Sequence, residues 1–308
     1  MMAKTLVILN PISGNGNGER LEPQIQAALR AGGLDFDWVR TEAPRHAIAL
    51  AEQAKRGGYE TLLAAGGDGM VHEVVNGMMC ATGGDPGGTL GVIPIGSGND
   101  FSKMIPLPRD WTEAVRRILA GTTRWFDVGL IRADKPAVGE DASQRYFANT
   151  FDTGFGAYVS MHAHIPYLTG TAMYLVAIFK TLVNYSVPRL KIEFADGNRI
   201  EQKSTMAVAA NGRCFGGGFW IAPNAEVDDG LFDVMLADGL GRIGILSLLP
   251  KVMKGTHVGD RRVKFFRSSR VVIESPDPLP VECDGEVPWV DAHRLEIQVL
   301  PKRLLVIG

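Results

Sequence analysis

Two carboxylate-bearing glycine runs carry most of the chemistry this sequence offers. In the first, an apolar run ending at Ala65 empties into Gly66-Gly67-Asp68-Gly69, and a helical pattern follows over residues 71–79. Glycines let a backbone approach a ligand closely and adopt positive φ, so that consecutive N–H groups converge on one anion. The following helix aims its positive end at the same point. A carboxylate in such a cradle is unfavourable unless a divalent cation lies between it and a phosphate, both being sources of the hard oxygens Mg²⁺ prefers. Taken alone, the run reads equally well as a turn whose Asp caps the helix. The second run, Asp284-Gly285-Glu286, follows strand-like residues 280–283. In an extended segment its two carboxylates point to one face. One then accepts a proton while the other orients it or raises its pKa by repulsion. By spacing alone the triplet is more often a solvated turn.

The elements that must position these residues alternate. Strand patterns at 5–9, 36–39, 61–64 and 89–93 are separated by helical patterns at 21–31, 47–54 and 71–79, and a further helix is expected at 111–120. Such alternation predicts βαβ units and a parallel sheet, whose ligands bind beyond the carboxyl ends of the strands. Residues 10–18, 66–69 and 94–101 are polar and glycine-bearing, and each follows a strand. Three such loops on one edge suggest a phosphate site. After residue 128 the pattern changes to strands at 128–132, 146–150, 190–194, 205–210, 232–236, 263–266, 271–274 and 295–299, with helices at 171–185 and 242–254. This predicts an α/β domain over 1–128 and a β-rich sandwich or barrel over 129–299, with about 300–308 returning to the first domain.

Composition narrows the function. The formal net charge of −2 argues against a nucleic-acid binder that works by phosphate neutralisation. Cys80, Cys214 and Cys283 are widely separated and lack metal-ligand spacing, which suits a reducing cytosol. No secretory segment is expected before the first strand, and no run of about 20 apolar residues is present; any bilayer contact is expected to be peripheral. A P-loop signature, a Gly-x-Ser-x-Gly elbow and zinc spacing are all absent. The run Gly14-Asn15-Gly16-Asn17-Gly18 departs from the dinucleotide fingerprint by one residue.

Asn10-Pro11-Ile12-Ser13-Gly14, Gly66-Gly67-Asp68-Gly69 with Glu73 and Asn76-Gly77, and the run from Pro94 to Phe101 resemble the diacylglycerol kinase-like lipid kinases. The bacterial soluble enzymes are most similar, with sphingosine and ceramide kinases more distant. The similarity continues through Asp127-Val128-Gly129, Asn211-Gly212, Gly216-Gly217-Gly218, Pro223, Asp228-Asp229-Gly230-Leu231 and Asp284-Gly285-Glu286, in the family's order. The resemblance implies an α/β nucleotide-binding domain with a parallel sheet plus a β-rich sandwich domain, an active site in the cleft between them, and Mg²⁺-dependent transfer of the ATP γ-phosphoryl group to a lipid hydroxyl. It implies ATP contacts at Asn10, Pro11, Ile12, Ser13, Gly14, Thr41, Gly66, Gly67, Asp68, Gly69, Met70, Val71, His72, Glu73, Ser97 and Asn99. Asp68, Asp100 and Asp127 correspond to an acidic network around the nucleotide's metal. A structural Mg²⁺ is implied at Asp229, with the carbonyls of Glu226 and Leu231. The resemblance also turns the 284–286 triplet into a catalytic expectation, with Glu286 as proton acceptor supported by Asp284, or the reverse.

Two departures stand out. Met70 replaces the family's usual Thr, and Asn15 and Asn17 stand where Lys is frequent. Met70 is the support for a rival reading, a nucleotide-binding regulator that has lost catalysis; a soluble-substrate kinase of the NAD kinase type is the other. Bland readings accompany several residues. Asp127 also fits a structural role, and Asp228, Asp229 and Asp233 fit exposed turns. Helix 171–185 fits a core helix better than the wall of a lipid pocket. His162 and His164 beside Pro166 fit loop positions, and Arg261, Arg262 and Lys264 fit a solvated surface. The expected partner is a lipid at a membrane surface; the oligomeric state is left open, a homodimer included.

Overall fold

The structure, a computed structural model, describes residues 4–104, 110–139, 141–163 and 170–308; His164 and Pro166 lie outside them. The chain divides into two compact units, Met1–Val128 with Pro301–Gly308, and Gly129–Leu300.

The first unit runs β1 (Thr5–Leu9), α1 (Ser13–Ala31), β2 (Phe36–Arg40), α2 (His46–Arg56), β3 (Thr61–Gly66), α3 (Asp68–Thr82), β4 (Gly88–Pro94), α4 (Phe101–Met104) and α5 (Trp111–Ala120). β4, β3, β1 and β2 pair in that order and all in parallel. Leu304–Val306 add a further parallel strand beside β4. β1 is buried along its whole length, as an unbroken apolar run covered on both faces must be. The core gathers Leu9, Ile25, Leu63, Ile93, Ile118 and Ile307. α5 is closed at both ends: the Asp110 side chain accepts the Thr112 N–H, and Gly121 stops the helix at φ 70°.

α1 and α3 start earlier than the apolar periodicity predicts, at Ser13 rather than 21 and at Asp68 rather than 71. Their first turns are polar and glycine-rich, with no apolar face to read. Within the first turn of α1, Gly14, Asn15 and Gly16 are left-handed (φ 61°, 59° and 86°), so the helix opens on a kinked loop.

β5 (Thr123–Ala133) carries the chain into the second unit. There follow β6 (Gln144–Phe147), β7 (Thr150–Gly154), α6 (Phe155–His162), α7 (Gly170–Asn184), β8 (Arg189–Phe194), β9 (Arg199–Ala210), β10 (Phe232–Asp238), α8 (Arg242–Met253), β11 (Val263–Ser268), β12 (Arg270–Cys283) and β13 (Glu286–Ile307), whose last residues belong to the first unit. The strand order is β11-β10-β9-β7-β12-β13, with β8 paired to both β9 and β12. One core of this unit centres on Phe147, Phe151, Phe232, Val281, Trp289 and Ile297. A second lies where Phe155, Ala177, Ile178, Leu182 and Ile245 of α6, α7 and α8 pack together. The strand expected over 146–150 is two strands, broken at Ala148 and Asn149, whose N–H groups turn aside to the Asp284 carboxylate. Among the described residues no helix is long and apolar enough to cross a membrane.

Candidate active site

Because β1, β3 and β4 are parallel neighbours, the loops leaving them share one edge, and these loops touch. A Cβ on Gly96 would fall 2.5 Å from the Gly67 Cα, and one on Gly14 would fall 2.3 Å from the Ile95 carbonyl oxygen. Only glycine permits that approach. Backbone bonds tie the edge together: Asn10 N–H donates to the Ala65 carbonyl at 3.0 Å, and Ile95 N–H to the Gly66 carbonyl at 2.8 Å. Asn99, itself left-handed at φ 48°, donates from Nδ2 to the Gly96 carbonyl at 2.7 Å.

Asp68 opens α3 within this junction. Its Oδ1 accepts the Phe101 N–H at 2.9 Å, and a Cβ on Gly98 would lie 2.9 Å from its Oδ2. Burial first and the Asp100 charge second push its carboxyl up to about 6, against the N–H groups of Phe101 and Asp100 and the Lys103 charge. Asp100 is ion-paired with Lys103, whose side chain is only 12% exposed. Lys103 is the cation that sequence reasoning missed after noting Asn15 and Asn17. Its signal was a Lys three residues beyond Asp100 on a one-turn helix.

The remaining expected ATP contacts divide. Ser13 and Gly14 lie in the loop that meets Ile95, Thr41 begins the loop after β2 with its N–H on the Leu9 carbonyl, and Ile12 and Ser97 are exposed. Pro11 gives its carbonyl to the Glu19 N–H at 2.9 Å, and Gly69 lies in the first turn of α3. Met70, Val71 and His72 are buried along α3, His72 facing the Asn76 amide at 3.3 Å. Glu73 accepts the N–H groups of Arg45 at 2.9 Å and Ala47 at 3.0 Å, capping α2 from a neighbouring helix. Asp127 is fully buried and accepts the Lys302 N–H at 2.8 Å, fastening the end segment of the chain.

Asp68 and Asp100, neighbouring carboxylates beside the glycine loops, are hard oxygen donors of the kind that fits Mg²⁺. At Asp229, Oδ1 takes the Leu231 N–H at 3.0 Å and Oδ2 is ion-paired with Arg267. Among the described residues no group of three or more His, Cys, Asp or Glu side chains is placed to hold a metal.

In the second unit, Asp284 and Gly285 form a two-residue hairpin turn between Cys283 and Glu286, both at positive φ (52° and 93°). The extended segment expected there is therefore absent, and the two carboxylates do not share a face. Asp284 is folded inward, accepting N–H groups from Ala148 (2.9 Å), Asn149 (2.9 Å) and Thr150 (3.1 Å). Glu286 is exposed at the start of β13. Asp-Gly is the strongest short hairpin signal, and it outweighs the strand pattern before it.

An apolar cavity of about 100 Å³ lies under α6, α7 and α8. Phe155, Val159, Tyr174, Met206, Phe219 and Leu248 are among its walls. α7 is apolar on its outer side as well, exposing Val176, Phe179 and Val183. The basic cluster is mostly paired, Arg262 with Asp260 and Lys264 with Asp238.

Comparison with known proteins decides the family. Residues 4–131 match the diacylglycerol kinase catalytic domain, and residues 149–308 match the YegS C-terminal NAD kinase beta sandwich-like domain. The chain belongs to the diacylglycerol kinase-like lipid kinases. It is 29% identical to a diacylglycerol kinase of Mycobacterium tuberculosis, over 99% of this chain and 95% of that one. It is 31% identical to a YegS-like lipid kinase of Chromohalobacter salexigens, over 78% and 73% of the two chains. A crystal structure of a candidate diacylglycerol kinase from Bacillus anthracis shares the fold, with a TM-score of 0.79 at 23% identity over 99% of this chain and 94% of that one. Within this lipid kinase family the α/β unit and the strand-rich unit are thus the expected pair.

Proposed function

We propose that this protein transfers the γ-phosphoryl group of ATP to a hydroxyl of a lipid such as diacylglycerol. The observation that carries the reading is the meeting of three glycine loops around Asp68, Asp100 and Lys103. Phosphoryl transfer asks a protein mainly for positioning and charge neutralisation. The N–H groups at the start of α3 and of the loop after β1 supply donors to phosphate oxygens, and Lys103 supplies positive charge. Mg²⁺, when bound, neutralises phosphate charge, with Asp68 and Asp100 as its protein ligands.

The acceptor's alkyl chains are matched in chemistry by the apolar lining of the cavity in the second unit, Phe155, Val159, Met206 and Leu248 among it. Glu286, exposed on the hairpin, accepts the proton of the lipid hydroxyl; general-base help of this kind is worth about 10²–10⁴-fold. Asp284 serves by fixing the turn. The exposed face of α7, with Lys180 beside Phe179 and with Ile243 exposed on α8, suits peripheral contact with a bilayer from which the acceptor is drawn.

The test is transfer from γ-labelled ATP to a lipid panel, with NAD as the competing acceptor. Label in the organic phase, lost in Glu286→Gln with ATP binding intact, supports the reading. Label in the aqueous nucleotide fraction overturns it in favour of an NAD kinase-like activity. ATP binding without turnover of any acceptor favours the regulator.

A further inference from the structure

Behind the Asp284 turn lie two acids that the proposed chemistry does not use. β7 and β12 are antiparallel, and Glu282 stands directly opposite Asp152 in their register. Directly opposed residues share a face, with Cβ atoms about 5 Å apart. Both are sealed from solvent, Asp152 at 0% and Glu282 at 1% exposure. Both oxygens of Asp152 and Oε2 of Glu282 find no hydrogen-bond partner, while Oε1 of Glu282 accepts the Gly285 N–H. The Asp152 carboxyl is packed against the backbone of Gly156, where a Cβ would fall 2.1 Å from Oδ2.

The groups facing the pair are mostly acids or phenols. Asp284 and Glu286 act on Glu282 from the hairpin, and Tyr185, beyond α7, lies near Asp152, with Tyr158 of α6 behind it. Arg145 of β6 acts on the neighbouring Cys283. Burial drives both carboxyls well above their ordinary range, and the Asp152 charge adds to the shift at Glu282. Two adjacent desolvated anions are far more costly than an acid beside its conjugate base, which replaces repulsion by a charge-assisted hydrogen bond. The Gly285 N–H favours the charge on Glu282, leaving the proton on Asp152.

We propose that Asp152 is a neutral carboxylic acid donating its proton in a hydrogen bond to ionised Glu282, and that Glu282, through the Gly285 N–H, sets the turn that presents Glu286. Both are positioning residues, and their catalytic consequence rests on the proposed role of Glu286.

The test uses the full chain and the variants Asp152→Asn, Glu282→Gln and Glu282→Ala. Because the native pair holds a proton that the unfolded chain releases, the wild-type urea midpoint falls as pH rises above the ordinary carboxylate range. Asp152→Asn donates from its amide instead, so it stays folded and loses that pH dependence. An Asp152→Asn variant with the wild-type pH dependence overturns the shared proton. Hydrogen exchange at Gly285 is expected to be at least ~10-fold faster in Glu282→Ala and near wild type in Glu282→Gln; unchanged exchange in Glu282→Ala overturns the anchoring. If Glu282→Ala does not fold, the rate in Glu282→Gln decides: protection supports the anchor and its loss refutes it. With lipid turnover, Glu282→Ala lowers kcat at unchanged KM for ATP, and Glu282→Gln restores it. If wild type turns over no lipid, the proposed function fails, while the unfolding and exchange results still decide the pair.

Discussion

Removing the Asp284 carboxylate is the sharpest test of how the second unit holds its turn. Asp284→Ala leaves three buried N–H groups, those of Ala148, Asn149 and Thr150, without their acceptor. A bond to a charged acceptor contributes about 1.5–3 kcal/mol, and an orphaned buried donor carries its desolvation penalty. Alanine at φ 52° adds about 1 kcal/mol of left-handed strain. Water entering the gap recovers part of the sum, so a loss of about 3–5 kcal/mol is expected. Asp284→Asn tolerates the left-handed backbone and keeps one acceptor oxygen for Asn149 and Thr150, losing the bond to Ala148; about 1–2 kcal/mol is expected. Urea unfolding measures both, and hydrogen exchange at residues 148–150 localises the effect. An Asp284→Ala protein as stable as wild type, with those amides still protected, would refute the anchoring role and return Asp284 to the list of proton acceptors.

Asp68, raised to about 6, is protonated in the nucleotide-free protein below that pH, so binding of Mg²⁺ and ATP should weaken as pH falls through 6. The sign for stability is opposite: a carboxyl raised on folding binds protons in the native state, so stability falls between about pH 4 and 6 as pH rises. Asp68→Asn should therefore stabilise the free protein at neutral pH by ~1–2 kcal/mol, the figure discounted for partial exposure, while abolishing metal-dependent nucleotide binding; thermal melts and ATP titrations check both. Gly96→Ala drives a Cβ into the Gly67 backbone, and fluorescence titration should show nucleotide affinity reduced by roughly 10-fold or more, at a stability loss of about 1–3 kcal/mol. Ala237→Phe should fill the apolar cavity, raising KM for a long-chain acceptor about 10-fold or more with KM for ATP unchanged. Phe179→Asp should reduce co-sedimentation with anionic vesicles several-fold, with ATP binding unaffected.

The parallel sheet and its three loops were legible because composition alone marks them: buried strands are apolar runs, and the loops at their ends are rich in Gly, Asn and Asp. What the sequence concealed has physical causes. The start of α3 was hidden because Asp68 and Gly69 carry no apolar periodicity, although their backbone is already helical. The 284–286 triplet was read both as an extended segment and as a solvated turn; a turn forms, but Asp284 is buried in it because its acceptor oxygens serve backbone N–H groups far away in sequence. Ala148 and Asn149 look like strand residues, and only the distant acceptor shows why pairing stops there. Asp152 and Glu282 resemble solvent-facing positions of half-buried strands. That both point into the core follows from the pairing of β7 with β12, segments separated by more than a hundred residues, which no local pattern encodes.

The closing strand has a consequence for how this chain can be made. Leu304–Val306 pair with β4 and Ile307 enters the first core, so the amino-terminal sheet lacks the strand beside β4 until residues 304–307 have been made. A fragment ending near Val128 would display β4 as a bare apolar margin, the kind of surface that recruits foreign strands. Nascent chains should therefore depend on chaperone shelter until residues 304–307 have emerged, and a cut just before residue 301 should damage the amino-terminal unit first.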